Sequence, residues 1–341
     1  MANAIPPIIP TQHRSRDWRL PALLTAAGLA ASFFYVQAKT RKAEQDNPPA
    51  GQFVEVDGVR LHYLERGSGP PLVLLHGNGI LANDFDTSGL VDRAADRYRV
   101  IAFDRPGYGH SERPRSTIWT PQAQARLLQR ALRKLGVEQP LVLGHSWGTL
   151  VALAMALEFP DQVRGLALVS GYYYPSVRLD APLSSPPAIP LIGDLLRYTV
   201  SPLVGRLMWP LLAKRIFGPP AVPERFKRLP VWMMLRPSQL RASAAESALM
   251  IPSAALLRRR YPELKMPVAI VAGSADRVVS SAHNAERLNR ELAHSDLRIE
   301  AGMGHMVHYA RPDEVMAAID SLQPMRAARA QPGLFRSEAQ V

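Results

Sequence analysis

The sequence predicts an α/β fold in which helices flank a mostly parallel central sheet. Short apolar runs bounded by turn residues recur between residues 72 and 300, and helical patterns separate them. This alternation is typical of parallel strands joined by helices. The chain has 341 residues, of which 47% are hydrophobic, so it can bury one large core and carry an insertion.

The predicted strands follow one another along the chain. Residues 53–56 and 60–64 flank Asp57-Gly58, a pair that favours a tight hairpin turn. The run 268–273, Val-Ala-Ile-Val-Ala-Gly, has the continuous apolar character of a buried strand. The other predicted strands are residues 72–75, 100–103, 140–143, 166–169 and 297–300.

A serine follows one of these runs in the segment Gly144-His145-Ser146-Trp147-Gly148, and a helix-like apolar stretch comes next. On a tight strand-to-helix turn the serine hydroxyl is held out into a cleft. The turn crowds the backbone two residues before and two residues after the serine, so both positions, here Gly144 and Gly148, require glycine. The start of the helix offers a free N–H group to a developing oxyanion. The pattern therefore predicts Ser146 as a nucleophile.

Two partners for Ser146 follow in the required order. Asp276 comes just after a predicted strand, where a carboxylate can orient an imidazole. His305 follows the last predicted strand and is expected to act as general base and then general acid. His308 is the alternative base, but it lacks a preceding glycine such as Gly304, which would allow a tight approach. We therefore predict a catalytic triad of Ser146, Asp276 and His305.

Two further segments complete the pattern. The sequence His-Gly-Asn-Gly occupies residues 76–79, after one predicted strand, and Asp-Arg-Pro-Gly-Tyr-Gly-His-Ser occupies residues 104–111, after the next. Together with the serine and its partners, these motifs resemble the α/β-hydrolase superfamily, and specifically its cap-bearing, esterase- or lipase-like members with a serine nucleophile. The resemblance covers about residues 50–325.

The resemblance also implies an oxyanion site. In that family the loop beginning His-Gly supplies one of two N–H groups that bind the oxyanion, and the residue after the nucleophile supplies the other. Carried over to this sequence, these are the backbone N–H groups of Asn78 and Trp147. His76 and Gly77 are then expected to support the oxyanion loop.

A serine nucleophile narrows the expected chemistry. Family members that open epoxides or displace halides use aspartate at this position, whereas serine forms an acyl-enzyme that water hydrolyses. We expect a hydrolase that cleaves carboxylic esters of apolar small molecules. Carbon–carbon bond hydrolases, amidases and haloperoxidase-like enzymes use the same triad and remain alternatives. Outside enzymes, the alternative is a binding or receptor module on the same fold.

Composition excludes several classes of site. The chain has no cysteine, which rules out disulfides, a thiol nucleophile and cysteine-ligated zinc. The spacing of histidine and acidic residues matches no metal motif, and no glycine-rich loop opens a nucleotide-binding unit. We therefore expect neither a cofactor nor a metal ion. The formal net charge is +12, but no nucleic-acid-binding motif accompanies it, so we expect no nucleic-acid partner.

The N-terminal region is distinct from the predicted fold. After an N-terminal segment (residues 1–19), residues 20–38 contain no charged side chain and are just long enough to span a bilayer as a helix. Residues 39–51 are polar, end near two prolines and are predicted to be a linker. We expect a single-pass anchor in a bacterial inner membrane. The alternatives are a cleaved signal peptide, which would give a secreted or periplasmic protein, and a helix packed on the globular domain.

The α/β-hydrolase core is predicted to comprise residues 52–172 and 263–325, with a helical cap at 173–262 and a basic, disordered tail at 326–341. Proline and long apolar side chains are frequent in the cap, which favours short helices and an apolar substrate pocket. From residue 172 to residue 260 there are 11 Arg and 2 Lys against 2 Asp and 2 Glu. We expect this basic, apolar surface to rest on anionic lipid and to admit lipid-like substrates.

Overall fold

The computed structural model describes residues 18–178 and 180–323. The tail predicted at residues 326–341 and most of the N-terminal segment predicted at residues 1–19 lie outside this part. Within it, eight strands form one sheet. They are β1 (Gln52–Val56), β2 (Val59–Arg66), β3 (Pro71–Leu75), β4 (Arg99–Phe103), β5 (Leu141–His145), β6 (Gly165–Val169), β7 (Val268–Gly273) and β8 (Ser295–Glu300).

The strand order is β1-β2-β4-β3-β5-β6-β7-β8. The pairs β1–β2 and β2–β4 are antiparallel, and every other neighbouring pair is parallel. The hairpin predicted at Asp57-Gly58 joins β1 to β2, and both residues adopt positive φ angles of 51° and 71°. The carboxyl ends of β3 and β5–β8 therefore meet at one edge of the sheet, which is where ligands bind in open α/β sheets.

The described residues form 14 α-helices. They are α1 (Arg19–Asp46), α2 (Asn83–Thr87), α3 (Leu90–Ala95), α4 (Pro121–Lys134), α5 (Gly148–Glu158), α6 (Asp180–Ser184), α7 (Ile192–Tyr198), α8 (Val200–Phe217), α9 (Glu224–Lys227), α10 (Val231–Met234), α11 (Pro237–Leu257), α12 (Arg287–Glu291), α13 (Val307–Ala310) and α14 (Pro312–Ser321). Short 3₁₀ segments cover Pro160–Gln162, Pro186–Ala188 and Arg258–Glu263, and one π-helical turn covers Ala282–Glu286.

The core consists of one apolar layer on each face of the sheet. On one face, α4 and α5 pack against inward side chains such as Val142 and Leu168. On the other face, α3 and α14 pack against side chains such as Leu143 and Ala167. The first ten residues of α5 are all buried, because its sequence is apolar on every side. This central helix fixes the strand-to-helix turn that precedes it.

The N-terminal helix is longer than predicted. Residues 39–46, assigned to the linker from sequence, continue α1 as far as Asp46. No proline or glycine interrupts them, and Lys42 pairs with Asp46 one turn later at 3.1 Å. The helix ends at Asp46, with Asn47 as its C-cap, because the following Pro48 disfavours helical geometry at Asn47. Among the described helices, α1 alone is both long and apolar enough to cross a membrane.

The segment between β6 and β7 is helical, with two helices longer than expected. The prolines in this segment suggested short helices, yet α8 has 18 residues and contains Pro210, and α11 has 21 residues and contains Pro252. Packing compensates for the lost hydrogen bonds, since α11 contacts α5, α6 and α7. We call the described part of residues 173–262 the cap, and its α7, α8 and α10 also contact α1.

Candidate active site

Ser146 lies at the turn between β5 and α5. Its φ angle is +52°, a conformation that non-glycine residues rarely adopt. A Cβ atom on Gly144 would lie 2.6 Å from the Thr149 Cα, and one on Gly148 would lie 2.2 Å from the Leu75 carbonyl oxygen. Side chains are therefore excluded at both glycine positions. The Ser146 side chain is partly exposed and forms no hydrogen bond to any described residue, so its hydroxyl is available for reaction.

His305 and Asp276 form a hydrogen-bonded pair at the carboxyl ends of β7 and β8. His305 Nδ1 lies 2.7 Å from Asp276 Oδ2. The other carboxylate oxygen, Oδ1, accepts hydrogen bonds from the backbone N–H groups of Val278 at 2.7 Å and Val279 at 3.0 Å. These bonds fix the carboxylate, so the imidazole donates its Nδ1 proton to Asp276 and keeps Nε2 as a proton acceptor.

Residues 76–79, the loop predicted from sequence to supply an oxyanion N–H and called here the oxyanion loop, lie against Ser146, the predicted nucleophile. A Cβ atom on Gly77 would lie 3.2 Å from the Ser146 Cβ, so glycine allows this close approach. Among the described residues, the backbone N–H groups of Asn78 and Trp147 have no acceptor. Trp147 is also the N-cap residue of α5, next to the positive end of the helix dipole. Both N–H groups are thus free to bind an oxyanion.

The Asn78 side chain connects the oxyanion loop to the cap. Its amide nitrogen donates to the Ser243 carbonyl at 3.1 Å and to Ser247 Oγ at 3.2 Å. Its amide oxygen accepts from the hydroxyl groups of Tyr108 and Ser243. No local sequence pattern indicated this connection, since Ser243 of α11 lies 165 residues after Asn78.

A buried ion pair beneath the oxyanion loop was also not predicted from the sequence. Arg105 and Glu246 are fully buried and form two hydrogen bonds of 2.5 and 3.0 Å. Arg105 also donates to the carbonyl oxygens of His76 and Gly77 at 2.8 and 3.0 Å. Burial favours the neutral acid, but the adjacent Arg105 charge outweighs it and lowers the pKa of Glu246. Glu246, from α11, thereby compensates the charge of the arginine that holds the loop.

His76 lies within this network and is neutral. Its Nδ1 donates to the Gly77 carbonyl at 2.8 Å, and its Nε2 accepts the Arg105 backbone N–H at 3.0 Å. Burial, followed by the Arg105 charge, lowers the pKa of His76 to about 3. These contacts assign His76 to loop support.

His308 pairs with a different carboxylate from His305. His308 Nε2 lies 2.9 Å from Asp84 Oδ2, and the Tyr309 hydroxyl donates to Asp84 Oδ1 at 2.8 Å. His145 packs edge-on to His308 and directs its Nε2 at the His305 carbonyl, 3.2 Å away. Burial lowers the pKa of His145, so this ring is neutral. His308, the alternative base, therefore belongs to a separate buried hydrogen-bond network around Asp84.

The same network contains the described residues best placed to hold a cation. Asp84, His145 and His308 bring their potential ligand atoms within 4.8 Å of one another. Both oxygens of Asp84 are already hydrogen-bonded, to His308 and Tyr309. A metal ion would have to displace these bonds, so the donor set suits a hydrogen-bond network better than a metal centre.

An unbonded serine on a strand-to-helix turn, a histidine–carboxylate pair and two free N–H groups are the groups that nucleophilic hydrolysis requires. A family model described as alpha/beta hydrolase fold matches residues 70–312. The chain therefore belongs to the α/β-hydrolase family.

Curated relatives with similar sequences differ in chemistry. The chain is 34% identical over 133 residues to haloalkane dehalogenase 2 of Mycobacterium tuberculosis, covering 38% of this chain and 46% of that protein. It is 35% identical over 130 residues to 2-hydroxymuconate semialdehyde hydrolase of Pseudomonas putida, covering 37% and 45%. The matches thus span about half the length of these relatives. An uncharacterized M. tuberculosis protein is 30% identical over 291 residues, covering 81% and 83%.

Solved structures share the fold over most of their length. A membrane phospholipase A, described as a bacterial virulence factor, superposes with a TM-score of 0.62 at 25% identity, covering 89% of this chain and 96% of that one. A thermophilic esterase from Thermogutta terrifontis superposes with a TM-score of 0.63 at 22% identity, covering 80% and 97%. The first of these matches covers more of this chain than the second.

Proposed function

We propose that this hydrolase cleaves carboxylic esters of apolar molecules through an acyl-enzyme formed on Ser146. The observation that carries the proposal is the 2.7 Å His305–Asp276 pair, together with a serine that has no hydrogen-bond partner among the described residues. Serine at the nucleophile position argues against the alkyl-enzyme chemistry expected of an aspartate nucleophile.

Each group has a defined role in the proposed reaction. His305 Nε2 removes the Ser146 proton as the hydroxyl oxygen attacks the ester carbonyl, and the N–H groups of Asn78 and Trp147 stabilise the resulting oxyanion. His305 then donates this proton to the leaving alkoxide. Asp276 stabilises the imidazolium formed between these steps. Water, activated by His305 in the same way, hydrolyses the acyl-enzyme and restores Ser146.

The first test uses an activated ester and the Ser146→Ala variant. Removing the nucleophile is expected to lower kcat by several orders of magnitude while thermal unfolding stays unchanged. The matched control is Ser170→Ala, which changes another serine at the carboxyl end of a neighbouring strand. A fluorophosphonate that labels wild type but not Ser146→Ala would support the assignment, and near-wild-type turnover in the variant would refute it.

Carbon–carbon bond hydrolysis is the second candidate, favoured by the similarity to 2-hydroxymuconate semialdehyde hydrolase. The same serine and histidine would serve a ketone substrate. Parallel assays on esters of graded chain length and on vinylogous diketones separate the two activities. Turnover of diketones without turnover of any ester would replace the ester proposal.

We also propose that the protein acts at a membrane. Leu20, Leu23, Leu24 and Phe34 on α1 are each more than 60% exposed, which is unfavourable for large apolar side chains in water. The apolar stretch 20–38 extends about 28 Å as a helix, close to the hydrocarbon thickness of a bilayer.

If α1 lies in the membrane, its contacts with the cap determine how deeply the cap sits relative to the bilayer. Ser32 donates a hydrogen bond to the Thr199 carbonyl, and Tyr35 packs edge-on against Trp232 at 6.0 Å between ring centroids. Both residues lie within the apolar stretch, so a membrane that accommodates this stretch also reaches the cap. The surface of α8 suits that position, since it exposes Leu203, Val204, Leu207, Met208, Leu211 and Leu212.

Extraction and N-terminal sequencing test the membrane proposal. The full chain is expected to remain in the membrane fraction after alkaline carbonate and to need detergent for release. A mature protein that begins at Lys39 and is released by salt alone would favour the cleaved signal peptide and overturn the proposal.

A further inference from the structure

A cavity of about 750 Å³ lies between α8 and the loop that follows it. Its apolar wall includes Trp209, which stacks on Phe226 with 5.8 Å between ring centroids. Val222 and Val231 extend this wall. Neither Ser146 nor His305 lines the cavity, so it is separate from the catalytic groups.

All the charged side chains that line the cavity are basic. Its lining includes four basic side chains, Arg206, Lys214, Lys227 and Arg277, and no acidic one. Lys227 pairs with Glu224 at 2.5 Å. In residues 18–178 and 180–323, the other three basic side chains have no carboxylate partner within ion-pair distance. An apolar wall with three uncompensated cations is complementary to an amphiphilic anion.

The cavity adjoins the surface proposed to meet the membrane. Arg206, Trp209 and Pro210 line it from one flank of α8, and the exposed apolar side chains occupy the adjacent flank. On the other side, Val231 lines the cavity while the next residue, Trp232, packs against Tyr35 of α1. A lipid in the bilayer could therefore place its charged head in the cavity and leave its chains in the membrane.

We propose that this cavity binds the headgroup of an anionic phospholipid. Arg206, Lys214 and Arg277 contact the phosphate, and Trp209 packs against the glycerol and the first methylene groups. The inference rests on the membrane part of the proposed function, but not on the reaction.

The site also borders the loop that carries His305. The carbonyl of Ile216, near the end of α8, accepts the His305 backbone N–H at 2.8 Å. A Cβ atom on Gly304 would lie 2.5 Å from the Phe217 carbonyl oxygen, so this loop packs directly on the helix end. A bound headgroup thus contacts the helix that positions His305 without contacting the reacting atoms.

The experiment measures lipid binding by the full chain carrying Ser146→Ala, which removes turnover. The protein is held in neutral detergent micelles and titrated with phosphatidylglycerol or phosphatidylcholine, and retained lipid is counted by native mass spectrometry. One phosphatidylglycerol per chain is expected, with phosphatidylcholine retained at least tenfold more weakly. Equal retention of the two lipids would overturn the proposal.

Paired substitutions locate the site. Arg206→Gln with Lys214→Gln removes two cavity charges and is expected to weaken phosphatidylglycerol binding about 30-fold, at about 1 kcal/mol per charge. Arg215→Gln with Arg228→Gln removes two exposed cap charges outside the cavity and is expected to change binding less than threefold. Equal losses in the two pairs would mean diffuse attraction and reject the cavity.

The outcomes separate the two proposals. Selective phosphatidylglycerol binding by a protein whose wild-type form hydrolyses no ester refutes only the catalytic proposal. Esterase activity without selective phosphatidylglycerol binding refutes only the lipid site. Thermal unfolding of each variant checks that the cap remains folded.

Discussion

The Trp147 indole N–H donates a hydrogen bond to the Glu246 backbone carbonyl at 3.1 Å. The residue after the nucleophile is thereby joined to the residue whose carboxylate neutralises Arg105. One turn of α11 thus contacts both halves of the candidate oxyanion site, because Arg105 itself holds the loop at His76 and Gly77. The cap therefore contributes directly to the structure of the candidate active site.

Glu246→Gln should therefore be strongly destabilising. It leaves the Arg105 charge buried without a partner, which typically costs about 3–5 kcal/mol of unfolding free energy. Denaturant titration measures the loss. Glu263→Gln, which breaks an exposed ion pair with Arg260, should leave stability unchanged within error. Adding Arg105→Met to Glu246→Gln should restore part of the loss, and a further loss would contradict this explanation.

Gly148→Ala should disrupt the turn that carries the nucleophile. The added Cβ would lie 2.2 Å from the Leu75 carbonyl oxygen, which belongs to a buried strand and cannot move freely. We expect a loss of about 3 kcal/mol or more in stability, together with loss of turnover. Gly28→Ala is the control, because a Cβ there meets nothing within 4 Å. Comparable stability of the two variants would argue against the close packing at this turn.

Stability should decrease in mild acid because of His76. Its pKa is about 3 in the folded protein, against 6.5 for the free side chain. Between these values the unfolded chain binds a proton that the folded protein does not. The free energy of unfolding therefore falls as pH drops, by about 1.4 kcal/mol per pH unit from this group. His76→Gln removes this contribution, so denaturant titrations at pH 7, 6 and 5 should give a shallower slope. Identical slopes would show that His76 is not the group responsible.

Asp276→Asn should impair the positioning of the His305 imidazole without affecting folding. The amide cannot accept the Nδ1 proton in the same way, which favours the wrong tautomer of His305. We expect kcat for an activated ester to fall about 10⁴-fold with an unchanged fold. Asp296→Asn, at the exposed position of β8, should retain full activity. A fall of less than tenfold for Asp276→Asn would exclude Asp276 as the orienting carboxylate.

Much of the fold could be predicted from local patterns in the sequence. Turn residues, apolar runs and the two crowded glycines around Ser146 act over a few neighbours, so the strands, the hairpin and the serine turn were predictable. The pairing of Arg105 with Glu246 was not, because the two residues are 141 positions apart and no local pattern links them. Packing of the N-terminal helix on the globular domain was one of the alternatives, but its partners on the cap were not predictable for the same reason, since Thr199 lies 167 residues after Ser32. The helix was predicted to end at residue 38 because residues 39–46 are polar. Polar residues do not end a helix, and the first proline after residue 38 is Pro48.

The long separation between α1 and its docking surface has a consequence for synthesis. Glu44 bonds to Arg236, which is added to the chain 192 residues later. At about 5–20 residues per second, roughly 10–40 s pass between the two. During this interval the helix exists without α8 or α10 to cover it, and its apolar side chains need another environment. Because α1 is translated first, it is already in its own environment when the cap is synthesised and folds against it.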